Sequence, residues 1–142
     1  MRVVIFILLL FVSILTNAQS RLNLGVNIRI ACGFVGETSA EVSSIQRLVA
    51  SNNYVLLKKK LTEGNRMEAI LSAIVLMELQ SKRRLELAAE EQQRINEIMA
   101  WQDEYYVCYT CTQHFKGNVT ELLKNKNSFV YMLLRQTVVK EE

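Results

Sequence analysis

Proline is absent from the 142 residues, and only five are glycine. That excludes collagen-like and proline-rich linker architectures and leaves few interruptions to helix. Histidine occurs once, so any histidine-based triad or dyad would have to use His114. Three cysteines leave one over whichever two pair within the chain. No Gly-x-Ser-x-Gly is present to display a serine nucleophile. Gly33 and Gly36 are isolated, so no glycine loop cradles phosphate. An excess of one charge is also lacking: the formal net charge of +3 is too mild to argue for nucleic acid.

What is present is ordinary globular material. Hydrophobic residues make up 50% and charged residues 22%, so wholesale disorder is excluded. The length suits one domain better than two. Residues 1–18 read as a secretory signal peptide. Arg2 and the amino terminus form a short positive region, Val3 to Leu15 is apolar except for Ser13, and Thr16-Asn17-Ala18 precedes a plausible cut. An apolar helix of that length spans about 20 Å, short of the roughly 30 Å hydrocarbon core. The competing reading is an uncleaved membrane anchor. No cysteine follows the apolar run closely, which argues against a lipid anchor. A cut before Gln19 resembles exported proteins of Bacteroidetes-type bacteria, and implies a periplasmic or extracellular location after cleavage.

Residues 19–37 alternate: Leu22, Leu24, Val26, Ile28 and Ile30 interleave with Asn23, Gly25, Asn27 and Arg29. A period of two predicts an extended arm or short strand. No later segment alternates as well, so the arm is expected to pack on helices. Residues 38–142 read as one helical domain. Thr38 to Glu41 has capping-box spacing before Val42, Ile45, Leu48 and Val49. Ser51-Asn52-Asn53 breaks that helix. Tyr54, Leu57 and Leu61 carry the next one, which Gly64 stops. Asn65 to Glu68 again has cap spacing, and Met67 to Met77 is apolar nearly all round, as expected of a central buried helix. Gln80 to Arg84 is a polar break or extension. Leu85 to Trp101 reads as a further helix with Ile95 and Ile98 on its apolar stripe. Asn118 to Glu121 is a cap spacing before Leu122 and Leu123, and a last helix runs near Ser128 to Val138.

The fold expected is therefore all-α: five or six helices in an irregular bundle or a short stack of αα-hairpins, behind the extended arm. Leu56 to Leu79 resembles a HEAT-type helix pair, through Leu57, Leu61, the Gly64-Asn65 turn, Arg66, Ala69, Ile74, Leu76 and Leu79. A solenoid needs at least ~3 repeats, and no second copy is clear. The resemblance implies a protein-binding scaffold and no chemistry of its own. A plain helical bundle stands equally open.

Chemistry, if any, centres on Cys108-Tyr109-Thr110-Cys111, with His114 three positions on and Cys32 far upstream. An exported chain favours a structural disulfide among Cys32, Cys108 and Cys111. A thiol–disulfide exchanger would want its first sulfur at a helix N-terminus within a βαβ pattern, which this chain lacks. Zinc held by Cys32, Cys108, Cys111 and His114 is a valid Cys3His set with one distant ligand. Covalent haem does not fit, because Thr112 stands where its histidine belongs. The carboxylates Glu90, Glu91, Glu97, Asp103 and Glu104 read as a solvated face. Lys58-Lys59-Lys60 and Lys82-Arg83-Arg84 spread around their helices and make poor continuous patches. Asn118-Val119-Thr120 is a glycosylation sequon only in a eukaryotic secretory pathway. Trp101, Tyr105, Tyr106, Tyr109 and Phe115 concentrate aromatics with polar handles, which suits either a partner surface or a core. The reading is an exported, non-enzymatic helical protein that binds another protein and needs no cofactor. It has no nucleic-acid partner, and membrane contact arises only if the leader is uncleaved. The alternative is a redox or zinc protein using Cys-x2-Cys and His114.

Overall fold

The computed structural model of the protein describes residues 25–29, 38–110 and 112–139. The signal-peptide segment, most of the arm, Cys32 and Cys111 lie outside these residues. Among them are six helices and three strands. In chain order they are β1 (Val26–Arg29), α1 (Ala40–Ala50), α2 (Tyr54–Glu63), α3 (Arg66–Ser81), α4 (Ala89–Met99), β2 (Glu104–Cys108), β3 (His114–Asn118), α5 (Val119–Lys124) and α6 (Phe129–Val138). No helix among the described residues is long and apolar enough to cross a membrane.

The fold is mostly helical but not all-α, which corrects the expectation from sequence. The three strands form one sheet in the order β1-β2-β3. Strand β1 runs parallel to β2, pairing Val26 with Tyr105 and Ile28 with Val107. Strands β2 and β3 form an antiparallel hairpin, pairing Tyr105 with Gly117 and Cys108 with His114. The alternating stretch is thus a strand with a partner almost eighty positions on. That partner went unread because only Tyr105 and Val107 point inward from its five residues, too few to show a period.

Local rules account for the helix boundaries. Asn53 caps α2 by accepting from the Leu56 N–H at 3.2 Å. Asn65 and Glu68 form the expected capping box on α3, at 3.0 and 3.1 Å. Asn118 and Ser128 accept from the N–H groups of Thr120 and Tyr131 and cap α5 and α6. At α1 the cap residue is Ser39, not Thr38, and no side-chain cap hydrogen bond forms. Helix α4 starts at Ala89 rather than Leu85. The Glu91 carboxylate accepts from the Ala88 N–H at 2.8 Å, which sets the start there. Gly64 does end α2, but through clearance: its φ is −72°, and a Cβ there would stand 2.5 Å from the Lys60 carbonyl oxygen.

Helix α3 forms the centre. Every residue from Ala69 to Met77 is buried. Helices α1, α2, α4 and α6 pack around it, and β1 lies against it through the inner face of the sheet. Helices α2 and α3, joined by Gly64-Asn65, pack closely as a helical hairpin. The sheet is one-sided: Val26, Ile28, Tyr105, Val107 and Phe115 face the helices, while Asn27, Arg29, Tyr106, His114 and Lys116 face outward.

Candidate functional site on the open face of the sheet

The outward face of the sheet gathers residues that sequence alone could not place together. The alternation of each strand sends every second side chain outward, and register aligns them into rows. Arg29, Cys108 and His114 form one row, and Asn27, Tyr106 and Lys116 the next. Both rows line an open groove of about 440 Å³.

Tyr106 is the exposed aromatic of this face, with 39% of its surface accessible. Its hydroxyl donates to Glu104 Oε2 at 3.0 Å. Lys116 Nζ lies 3.2 Å from the same carboxylate oxygen and 5.3 Å from the centre of the Tyr106 ring. The hydrogen bonds from Lys116 and Tyr106 hold Glu104 below the usual carboxylate range. Hydrogen bonds to Tyr106 first and then to Glu104 raise Lys116 above the usual amine range. Glu104 is therefore charged and occupied near neutral pH, not poised as an acid or base.

The Cys108 sulfur is disulfide-bonded. The two other cysteines, Cys32 and Cys111, lie outside the described residues, so both pairings read from sequence stand. While oxidised, Cys108 is no thiolate ligand for zinc. Among the described residues no three histidine, cysteine, aspartate or glutamate side chains converge on a point. Cys108 and His114 are brought side by side by the β2–β3 register, which their sequence spacing alone did not reveal.

The other aromatics singled out from sequence separate. Tyr105 is 8% exposed on the inner face, over Gly117. Phe115 is half-buried against the core and packs on Phe129 of α6, ring centres 5.2 Å apart. Tyr109 packs partly on the core beside the hairpin turn. Trp101 holds elements together: Arg66 and Arg94 lie 5.2 and 5.6 Å from its ring centre. Its carbonyl also accepts from Thr120 Oγ1 at 2.6 Å. Arg66 is further ion-paired with the buried Asp103.

The basic run on α2 is consumed in ion pairs. Lys58 pairs with Glu91, Lys59 with Glu63 and Lys60 with Glu68. Lys82 pairs with Glu78. The residues of the open face that sequence reasoning did not single out are Asn27, Arg29 and Lys116. The signal that could have found them is the shared outward phase of β1 and β3 around Tyr106. Compared with known proteins, the chain matches no family model, no curated protein and no solved structure.

Proposed function

We propose that the protein is an exported, non-enzymatic interaction module that docks another protein on the open face of its sheet. The observation that carries this reading is the groove around Tyr106, with Arg29, His114 and Lys116 along it. An exposed tyrosine brings large contact area with little conformational entropy to lose. The positive charge of Lys116 beside the exposed Tyr106 ring suits a partner segment that carries acidic residues. The α2–α3 hairpin, read as HEAT-like, is the scaffold behind this face rather than the contact itself. Export rests on the leader sequence, and the proposal places the mature chain outside the cytoplasm.

The test is site-specific photocrosslinking in the producing cell. A photoreactive phenylalanine analogue at Tyr106 is expected to give a discrete protein adduct. The same group at Gln93, exposed on α4, is expected to give none. Replacing Lys116 by Glu should abolish the Tyr106 adduct. No adduct at Tyr106, or equal adducts at both positions, would overturn the reading. N-terminal sequencing of the exported chain should begin at Gln19.

A further inference from the structure

We infer that the outer edge of β3 takes an extended segment of another protein as an added strand, one that alternates acidic and apolar side chains. The inference rests on the docking proposed above and deepens it, by fixing the path of the partner's main chain. The Tyr109 N–H donates to the Gln113 carbonyl at 3.0 Å, and the Val119 N–H to the Asp103 carbonyl at 2.9 Å. These pairs extend the β2–β3 register at its two ends. Along an antiparallel strand, residues bonded to one neighbour alternate with residues whose peptide groups face away from it. Phe115 and Gly117, in phase with Gln113 and Val119, therefore turn their N–H and C=O groups toward β2. His114 and Lys116 turn theirs to the outer edge. No hydrogen bond among the described residues takes those groups. On the opposite edge of the sheet the Arg29 carbonyl accepts from the Ser39 N–H at 2.9 Å. An uncovered row of main-chain donors and acceptors is a template for a further strand.

The side chains beside the edge set what that strand carries. His114 and Lys116 are exposed on the outer face, and Phe115 packs on the inner one. An added strand runs about 4.8 Å outside β3 and keeps the same alternation. Its inward side chains come against Phe115 and Phe129, whose ring centres are 5.2 Å apart. Phe129 is 55% exposed, and Met132, one turn on along α6, is 41% exposed, so this rim suits apolar side chains. Its outward side chains come beside Lys116, whose side chain is 56% accessible although it pairs with Glu104. The ammonium has donors beyond the one that Glu104 engages, and opposite charges across neighbouring strands are stabilising.

A second copy of the chain fits this edge less well. The register that pairs β3 fully with itself sets Lys116 opposite its own counterpart, and like charges directly opposite are destabilising.

The probe is a short synthetic peptide alternating glutamate and valine, added to the full chain and followed by amide hydrogen exchange. At about ten times its dissociation constant it should slow the His114 and Lys116 amides about tenfold, because only the unbound fraction exchanges. Methylating alternate backbone nitrogens of the peptide blocks one of its two edges. One of the two methylated sets should abolish binding and the other should leave it, a comparison in which the protein is unaltered. Exchanging the peptide's glutamates for lysines should weaken binding about tenfold or more. Lys116→Glu should reverse that preference. Equal binding by the two methylated peptides would overturn the inference, as would no binding by the unmethylated one. Binding that leaves the His114 and Lys116 amides unprotected would also overturn it. Self-association of the chain with the same amides slowed would assign the edge to a second copy and overturn it as well. The Tyr106 adduct judges docking separately: an adduct without edge protection leaves docking standing and removes the added strand.

Discussion

Tyr131 buries its ring beside α3, and its hydroxyl finds no hydrogen-bond partner among the described residues. Burial raises its pKa, with Glu78 adding to the rise and Arg135 opposing it, so the phenol stays protonated. A buried hydroxyl without a partner costs free energy and returns nothing. Tyr131→Phe is expected to raise the urea midpoint, by a stability gain of about 1 kcal/mol. A loss of stability would show that the hydroxyl is satisfied in solution. Glu91 illustrates the opposite economy. Burial pushes its carboxyl up, but hydrogen bonds from Lys58 and the Ala88 N–H, with the Lys58 charge, leave it below the ordinary range. The folded state therefore binds that proton less readily than the unfolded chain. The stabilisation is fully present above the ordinary carboxylate pKa and disappears as pH falls through the depressed one. Thermal melts of the protein and of Glu91→Gln should differ at pH 7 and converge as pH falls below that range. A difference that persists at low pH would assign the effect to the Glu91 helix-start contact alone.

Helices α1 and α3 end in a left-handed backbone geometry that glycine usually serves and here does not. Helix α3 closes with the Arg84 N–H on the Leu79 carbonyl and the Arg83 N–H on that of Gln80, at 2.9 and 3.0 Å. That pattern is a Schellman motif, and it forces Arg83 to a φ of +55°. Helix α1 closes the same way, with Asn52 at +51°. Asparagine adopts that region at less cost than arginine does. Arg83→Gly is expected to stabilise the protein by about 1 kcal/mol, read as a shifted urea midpoint with unchanged slope. The caps of α3 and α5 were legible from sequence because each uses residues within three positions of one another, as Asn65 and Glu68 do, whereas the spacing from Thr38 to Glu41 gave no side-chain cap. The strands were less so. Tyr105 and Val107 carry the whole inward pattern of β2, and Gly117 serves as the space beneath the Tyr105 ring. A Cβ on Gly117 would stand 2.7 Å from the Tyr105 hydroxyl. Its sequence position suggests only a stop, whereas its structural task is clearance for a neighbour on another strand.

The molecule as a whole joins a helical body to a sheet whose edge strand comes from the far end of the chain. Strand β1 contributes Val26 and Ile28 to the core and covers one edge of β2. A chain beginning at Thr38 should therefore lose roughly 3–6 kcal/mol, from two buried aliphatic side chains at about 1.5–3 kcal/mol each. It should also self-associate through the bared β2 edge. Urea unfolding and size-exclusion chromatography would check both outcomes. A monomer of full stability would mean that β1 contributes nothing to the body. By itself, the sequence determined most of the helical body: the apolar stripes, the caps of α3 and α5 and the buried course of α3. Helical hydrogen bonds close within four residues, so their causes lie side by side in the chain. Only the tertiary structure decided the sheet, and with it the face where Arg29, Cys108, His114 and Tyr106 meet. A strand has no hydrogen-bond partner of its own, and the partner of β1 is supplied by packing across the whole intervening helical body.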